Sequence, residues 1–420
     1  MLRMENKMNK GIFSHYVGFN LTFFFLLFST VFAGSNHDAP QEAVNYYVQE
    51  WRRISQNDTL SESVRQEKLS GVLDNMFYFS RLAPQLVQKT WPKLTSYEQE
   101  QFIKALKISI LHKIKTVLGS DEPGADFVFA LKNADVKENF ANLDYELKMG
   151  TARKNVKVYL LKNPEKVWKV SNLKIGKISI LRYYYTFCKK LLGKYSFPYL
   201  VGELGEYGYV VLEDFESSDV DTLPRGWGWK KKDNEKHKPY RVKEENGNKY
   251  LAATDEGESV IIGKDKKWNL KKYPYISFRW RVHEIPEGGD ERFNKTVDSA
   301  AGIYLVYKKK LGLIPESVKF VWSSTLPVGS AMRRSGIGRP WMVVAATGKE
   351  HLGEWRTFVF NAYETYKKTF GGEPPDTALG IGILSDANST KSKAYADYDD
   401  IRMLKNATAD SGVKKILKAE

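Results

Sequence analysis

Across residues 41–118 apolar side chains recur every three or four positions, the period of helices that each bury one face. Val44, Tyr47, Val48 and Trp51 form the first stripe, and a second helix is expected over 61–75. Thr95-Ser96-Tyr97-Glu98 has the Thr-x-x-Glu form of a capping box, in which hydroxyl and carboxylate each satisfy an orphan backbone N–H. A long helix should begin there, carry Phe102, Leu106, Ile110 and Ile114 on one side, and stop at Gly119. The period then drops to two: Phe127, Phe129 and Leu131 alternate with Val128, Ala130 and Lys132. Strands are further expected at 145–149, 156–161 and 168–175, with a closing helix at 180–192. This order predicts an α+β domain, helices packed on a curved antiparallel sheet.

From about Gly205 short alternating segments rich in aromatics take over. Strands are expected at 250–253, 259–262, 275–282, 300–306, 318–322, 341–345, 355–361, 379–384 and 394–404, with one helix at 362–370. That pattern reads as an all-β, jelly-roll-like sandwich over 210–404, followed by a polar tail at 405–420.

A length of 420 residues with 42% hydrophobic and 13% aromatic residues is enough for two such cores. Arg3, Lys7 and Lys10 precede an apolar run, 21–32, of signal-peptide length that ends on Val31-Phe32-Ala33-Gly34. Residues 1–33 are therefore expected to be a signal peptide cleaved after Ala33, with a periplasmic mature protein; an uncleaved anchor is the alternative. Cys188 has no cysteine to pair with and is expected to be a buried structural thiol. The formal charge of +15 favours anionic surfaces, with export arguing against nucleic acid as the partner; lysines scattered among acids that only aid solubility are the alternative.

Three stretches carry a family resemblance. They are the 168–179 run Trp-Lys-Val-Ser-Asn-Leu-Lys-Ile-Gly-Lys-Ile-Ser, then Arg81-Leu82-Ala83 with Trp91, Gln99, Phe102 and Leu106, and Tyr184, Phe187, Leu191 and Leu192 on the closing helix. In their order and spacing, residues 41–204 resemble the MlaC (toluene-tolerance) family of periplasmic phospholipid-binding proteins. The resemblance implies a carrier that shields acyl tails in an apolar cavity between sheet and helices. It exchanges lipid with inner-membrane ABC-transporter components and an outer-membrane complex, and serves outer-membrane lipid asymmetry without catalysis or cofactor. The candidate lipid-binding residues are Phe127, Phe129, Leu131, Tyr145, Leu147, Val158, Leu160, Trp168 and Val170, with Tyr184 and Phe187 from the matching helix. Alternating apolar residues on a sheet are also what an ordinary core shows.

The second half resembles domain-of-unknown-function family 3047. The matching segments are Phe278-Arg279-Trp280-Arg281-Val282, Gly289-Asp290-Glu291, Val321-Trp322-Ser323, Leu326-Pro327-Val328-Gly329, Leu352-Gly353-Glu354-Trp355, 382–386 and Ala396-Asp397-Tyr398-Asp399-Asp400-Ile401. Asp214 and Glu216 on the first strand and Asp397 and Asp400 on the last are hard-cation ligands, candidates for a structural calcium; solvated turn acids are the alternative reading. Trp227, Trp229, Trp322, Trp341 and Trp355 read as sandwich core, or as a platform for sugar or lipid. Asp290, Glu291, Asp298, Arg333 and Arg334 could line a polar hydrolytic cleft. His112, His237, His283 and His351 are isolated, and neither a Gly-x-Ser-x-Gly elbow nor a Cys-x-x-Cys pair occurs. The first reading is thus a phospholipid carrier with a recognition domain; the rival is a carbohydrate-binding or polysaccharide-processing envelope protein with a glycan ligand.

Overall fold

A computed structural model describes residues 38–118, 127–229 and 239–408; the expected signal peptide, His237 and the end of the polar tail lie outside them. α1 (Pro40–Ser55) opens on proline, whose missing N–H costs nothing in a first turn, and buries Ala43, Val44, Tyr47 and Ile54. α2 (Glu62–Met76) is capped by Ser61, which accepts from the Val64 N–H. α3 (Phe79–Val87) and a 3₁₀ turn (Gln88–Lys93) lead into α4 (Ser96–Leu118). The capping box is formed there, with Glu98 N donating to Thr95 Oγ1 at 3.2 Å and Thr95 N to Glu98 Oε2 at 2.8 Å.

β1 (Val128–Val136), β2 (Phe140–Met149), β3 (Ala152–Lys162), β4 (Trp168–Ile175) and β5 (Ile178–Ser179) pair antiparallel in chain order. Ala141, Leu143, Tyr145 and Leu147 on β2 and Val156, Val158 and Leu160 on β3 share a core with the helices. α5 (Ile180–Leu192), capped by Ser179, and α6 (Phe197–Gly205) complete this half. Cys188 is fully buried on α5, and burial pushes its thiol up to about 12, consistent with an inert structural role.

Two bulges shift the phase of this sheet. The β1–β2 register slips between Leu131 and Asn133, and from Leu131 to Val136 the strand faces solvent. Leu131 is 43% exposed, so its expected inward position is corrected: alternation ends where the edge strand runs past its core. In β4, Tyr159 pairs with Asn172 but Leu160 pairs with Val170, leaving Ser171 as an extra residue whose hydroxyl donates to Tyr159 O at 3.1 Å. The buried set therefore changes from Trp168 and Val170 to Leu173 and Ile175.

The second half is a sandwich. Its strands are β6 (Tyr209–Glu213), β7 (Gly228–Trp229), β8 (Tyr240–Glu245), β9 (Asn248–Asp255), β10 (Ile262–Asn269), β11 (Tyr275–Glu284), β12 (Ala301–Lys310), β13 (Ile314–Ser323), β14 (Ala331–Met332), β15 (Trp341–Thr347), β16 (Arg356–Asn361), β17 (Thr377–Ile383) and β18 (Ala394–Leu404). α7 (Ala362–Phe370) lies between β16 and β17. One sheet has the order β14-β15-β13-β12-β17-β10-β7 and the other β16-β11-β18-β9-β8, with β6 also on β18. β13 and β15 run parallel and the other pairs antiparallel. Trp268, Trp280, Trp322, Phe278 and Phe320 fill the space between the sheets. The strand expected at 259–262 is displaced to Ile262–Asn269, and β8 and α6 were not anticipated.

The halves meet where α6 packs on β6. A Cβ on Gly202 would lie 2.7 Å from Tyr209 O, so this close helix–strand approach requires glycine. Tyr97 on α4 donates to Asp214 at 2.8 Å, and Tyr273 donates to Glu203 at 2.8 Å, across the same seam.

Candidate functional site

Between α1 and the concave side of the first sheet lies a cavity of about 100 Å³. α1 supplies Val44, Tyr47, Val48 and Trp51, while α2 and α4 add Leu73, Met76 and Ile114. The opposite wall consists of Phe127, Phe129 and Leu147, then Val156 and Val158, then Leu173 and Ile175. The tyrosine hydroxyl in this lining is turned to the Asn75 carbonyl at 2.7 Å, so the wall is apolar and suited to hydrocarbon. At the rim, the Arg52 guanidinium lies 4.7 Å from the centre of the Phe127 ring and donates to Phe127 O at 2.5 Å. Its Nε is buried without a hydrogen-bond partner.

Of the candidate lipid-binding residues, Phe127, Phe129, Leu147 and Val158 line this space. Tyr145 is stacked on Phe129 at 4.2 Å, one layer behind, with its hydroxyl buried and unpartnered. Leu160, Trp168 and Val170 are buried further along the same core; Trp168 donates to Asp38 O, and Val170 bridges to Phe77. Tyr184 bonds to Ser109 at 3.0 Å, tying α5 to α4, and the half-buried Phe187 stacks with Tyr183. The α1 contribution and the shifted pair Leu173 and Ile175 were missed. The first was legible as the helix stripe; the second was hidden by the Ser171 bulge.

The four candidate calcium ligands form no metal-holding group, although Glu216 feels the charge of Asp400 and Asp214 that of Glu216. Asp214 accepts from Tyr97, Glu216 from Lys249 N, Asp397 from Arg281 and His283, and Asp400 from Arg402. Among the described residues no three His, Cys, Asp or Glu side chains gather to hold a metal. Trp227 and Trp322 are buried and Trp341 packs against the core, while Trp355 lies 4.7 and 4.8 Å from the Arg279 and Arg281 guanidiniums, so no open platform forms from these four. The Trp229 side chain lies outside the described set. The acids of the expected cleft are each engaged by neighbours: Asp290 clasps Arg292, Glu291 accepts from Ser299 and Ser323, and Asp298 receives Ser389 N and Thr390 N, with Glu291 and Asp298 both in electrostatic reach of the buried Lys319.

A second recess, about 200 Å³, lies at the seam between the halves, walled by Phe197, Val201, Tyr207 and Tyr209 and floored by Glu213, Asp214, Lys264 and Lys266. Burial, with the neighbouring Glu213 charge, pushes Asp214 up to about 6; burial likewise pushes Asp255 to about 6 and Asp399 to about 7. These groups bind protons more tightly folded than unfolded, so stability should rise as pH falls through their folded values. The gain ends near the ordinary aspartate range, about pH 4, where acids held low by lysines, such as Glu213 and Glu316, begin to protonate. The melting temperature is expected to be higher at about pH 5.5 than at about pH 7.5, and a flat or opposite profile in differential scanning fluorimetry would refute this.

Residues 45–206 match the family model described as MlaC protein, and residues 225–402 match that of a protein of unknown function, DUF3047. No curated protein matches the chain. Among solved structures it is similar to a phospholipid-binding protein from Ralstonia solanacearum in complex with a phospholipid, at 16% identity and TM-score 0.34, covering 40% of this chain and 95% of that one. It is also similar to a mannan-recognising carbohydrate-binding module, at 15% identity and TM-score 0.21, covering 47% and 99%. A third is the carbohydrate recognition domain of Emp47p, at 9% identity and TM-score 0.25, covering 50% and 97%. The chain thus joins a segment that matches the MlaC family to one that matches DUF3047.

Proposed function

We propose that this protein binds and carries phospholipid, with acyl chains held in the cavity between α1 and the first sheet. The observation that carries this reading is an apolar cavity inside the segment that matches MlaC. Each methylene moved from water into it gains about 0.8 kcal/mol, so a tail is retained by length alone. The room is smaller than the ~150 Å³ apolar cavity that accepts benzene, so as it stands it holds only part of a tail. Arg52, whose guanidinium packs on the Phe127 ring of the lining, supplies positive charge beside the cavity for a headgroup phosphate. The reading extends to export with removal of residues 1–33, and to exchange with inner-membrane ABC-transporter components and an outer-membrane complex, without a catalytic step. Native mass spectrometry of the gently purified protein should show a one-to-one phospholipid adduct; a bare protein that also takes up none from vesicles would overturn the proposal.

A further inference from the structure

The second half exposes aliphatic side chains at one end, on loops that lie close together. In the β12–β13 hairpin turn Leu311 is 92% and Leu313 83% exposed, and Ile337, between β14 and β15, is 85% exposed. A Cβ on Gly338 would lie 3.5 Å from Ile314 Cγ2, which places the Ile337 loop against that hairpin. The next loop joins through Arg334, which donates to Asn294 Oδ1 at 2.5 Å, beside the 57%-exposed Phe293. Leu311 also has φ of 49°, a left-handed conformation that glycine or asparagine adopts at less cost. Neither packing nor backbone geometry accounts for a leucine there.

The same end is basic. Arg292, Lys295, Arg333 and Arg334 surround one recess whose lining, among the described residues, holds no carboxylate. Asp290 compensates Arg292 alone, and the Arg334 Nε is buried without a partner. Projecting aliphatic tips beside a cationic recess complement an interface that is hydrocarbon a few ångströms down and negatively charged at its surface. A polysaccharide would be met by open aromatic faces, and it offers nothing to a projecting leucine. No described helix is long and apolar enough to cross a membrane.

We infer that this end of the sandwich docks onto anionic phospholipid bilayers, inserting Leu311, Leu313 and Ile337 between headgroups held by the Arg333 and Arg334 recess. The surface is separate from the cavity and stands independently of lipid loading there.

The test is co-sedimentation of the full chain with vesicles of phosphatidylcholine, with and without phosphatidylglycerol. The protein is expected to pellet with the anionic vesicles, less so as salt screens the attraction. The triple variant Leu311→Ser, Leu313→Ser and Ile337→Ser should lose about tenfold in partitioning, and Arg333→Gln with Arg334→Gln should weaken binding and flatten its salt dependence. All three aliphatic positions are exposed, so an unchanged melting temperature and unchanged co-purifying lipid should accompany the loss. The inference is overturned if the triple variant pellets like the parent, if phosphatidylcholine alone works as well, or if the protein binds dextran sulfate but no vesicle. A protein that pellets but never loads lipid would sink the carrier reading and leave this one standing.

Discussion

Replacing Val158 with tryptophan should leave the protein folded and empty of phospholipid. Val158 is 1% exposed on β3 and faces the free space beneath α1, flanked by Val156 on its own strand. An indole at that point occupies volume that a tail would otherwise enter, whereas overpacking in a filled core costs about 1–3 kcal/mol. Because about 100 Å³ is free here, the fold absorbs most of the added bulk. Mass spectrometry of lipid extracted from equal amounts of parent and variant decides the matter. Leu131→Asp provides the contrast, since that side chain points to solvent and its replacement should leave bound lipid unchanged. Equal lipid in parent and Val158→Trp would place the binding site elsewhere.

Where local signals agree with tertiary packing, the sequence is easily read. α5 begins and ends where Ser179 caps it and Gly193 follows it, and β18 occupies its expected span, 394–404. The losses have identifiable causes. α6 opens on Phe-Pro and contains Gly202, features that suggest a turn until β6 is seen to press against that glycine. β10 presents Lys264 and Lys266 between apolar ends, and its charged middle conceals a strand whose Ile262 and Trp268 are buried. The cavity was half legible for a related reason. Period-two reading finds Phe127, Phe129, Leu147 and Val158, but a single inserted residue, Ser171, inverts the parity of β4 and hides Leu173 and Ile175. The carboxylates expected to hold calcium meet arginines, lysines and tyrosines in the fold, partners that the linear order of residues does not display.

The joint between the halves is where one substitution should cost most. Glu213 on β6 is 4% exposed; its Oε2 accepts from Lys264 Nζ at 2.6 Å and Trp227 Nε1 at 2.8 Å, and its Oε1 from Phe215 N at 3.0 Å. Burial acts to raise this carboxyl, but Lys264 and Lys266 outweigh it and hold the group below the usual glutamate range. Glu213→Ala strands the largely buried Lys264 ammonium and two N–H donors without their acceptor, a loss expected at about 3–5 kcal/mol. Gly226, left-handed at φ of 76°, lies against the Lys264 stem: a Cβ there would be 3.1 Å from its Cε. Glu213→Gln keeps an acceptor and should cost less. Leucine at both 213 and 264 removes charge and desolvation together, and should recover most of the stability lost by Glu213→Ala. Urea unfolding of the four proteins at neutral pH measures the cycle, and a double variant no better than Glu213→Ala would show that the pair is not what anchors β6. The contribution is present above the ordinary glutamate range and disappears as pH falls through the lowered folded value, opposite in sign to that of Asp214 beside it.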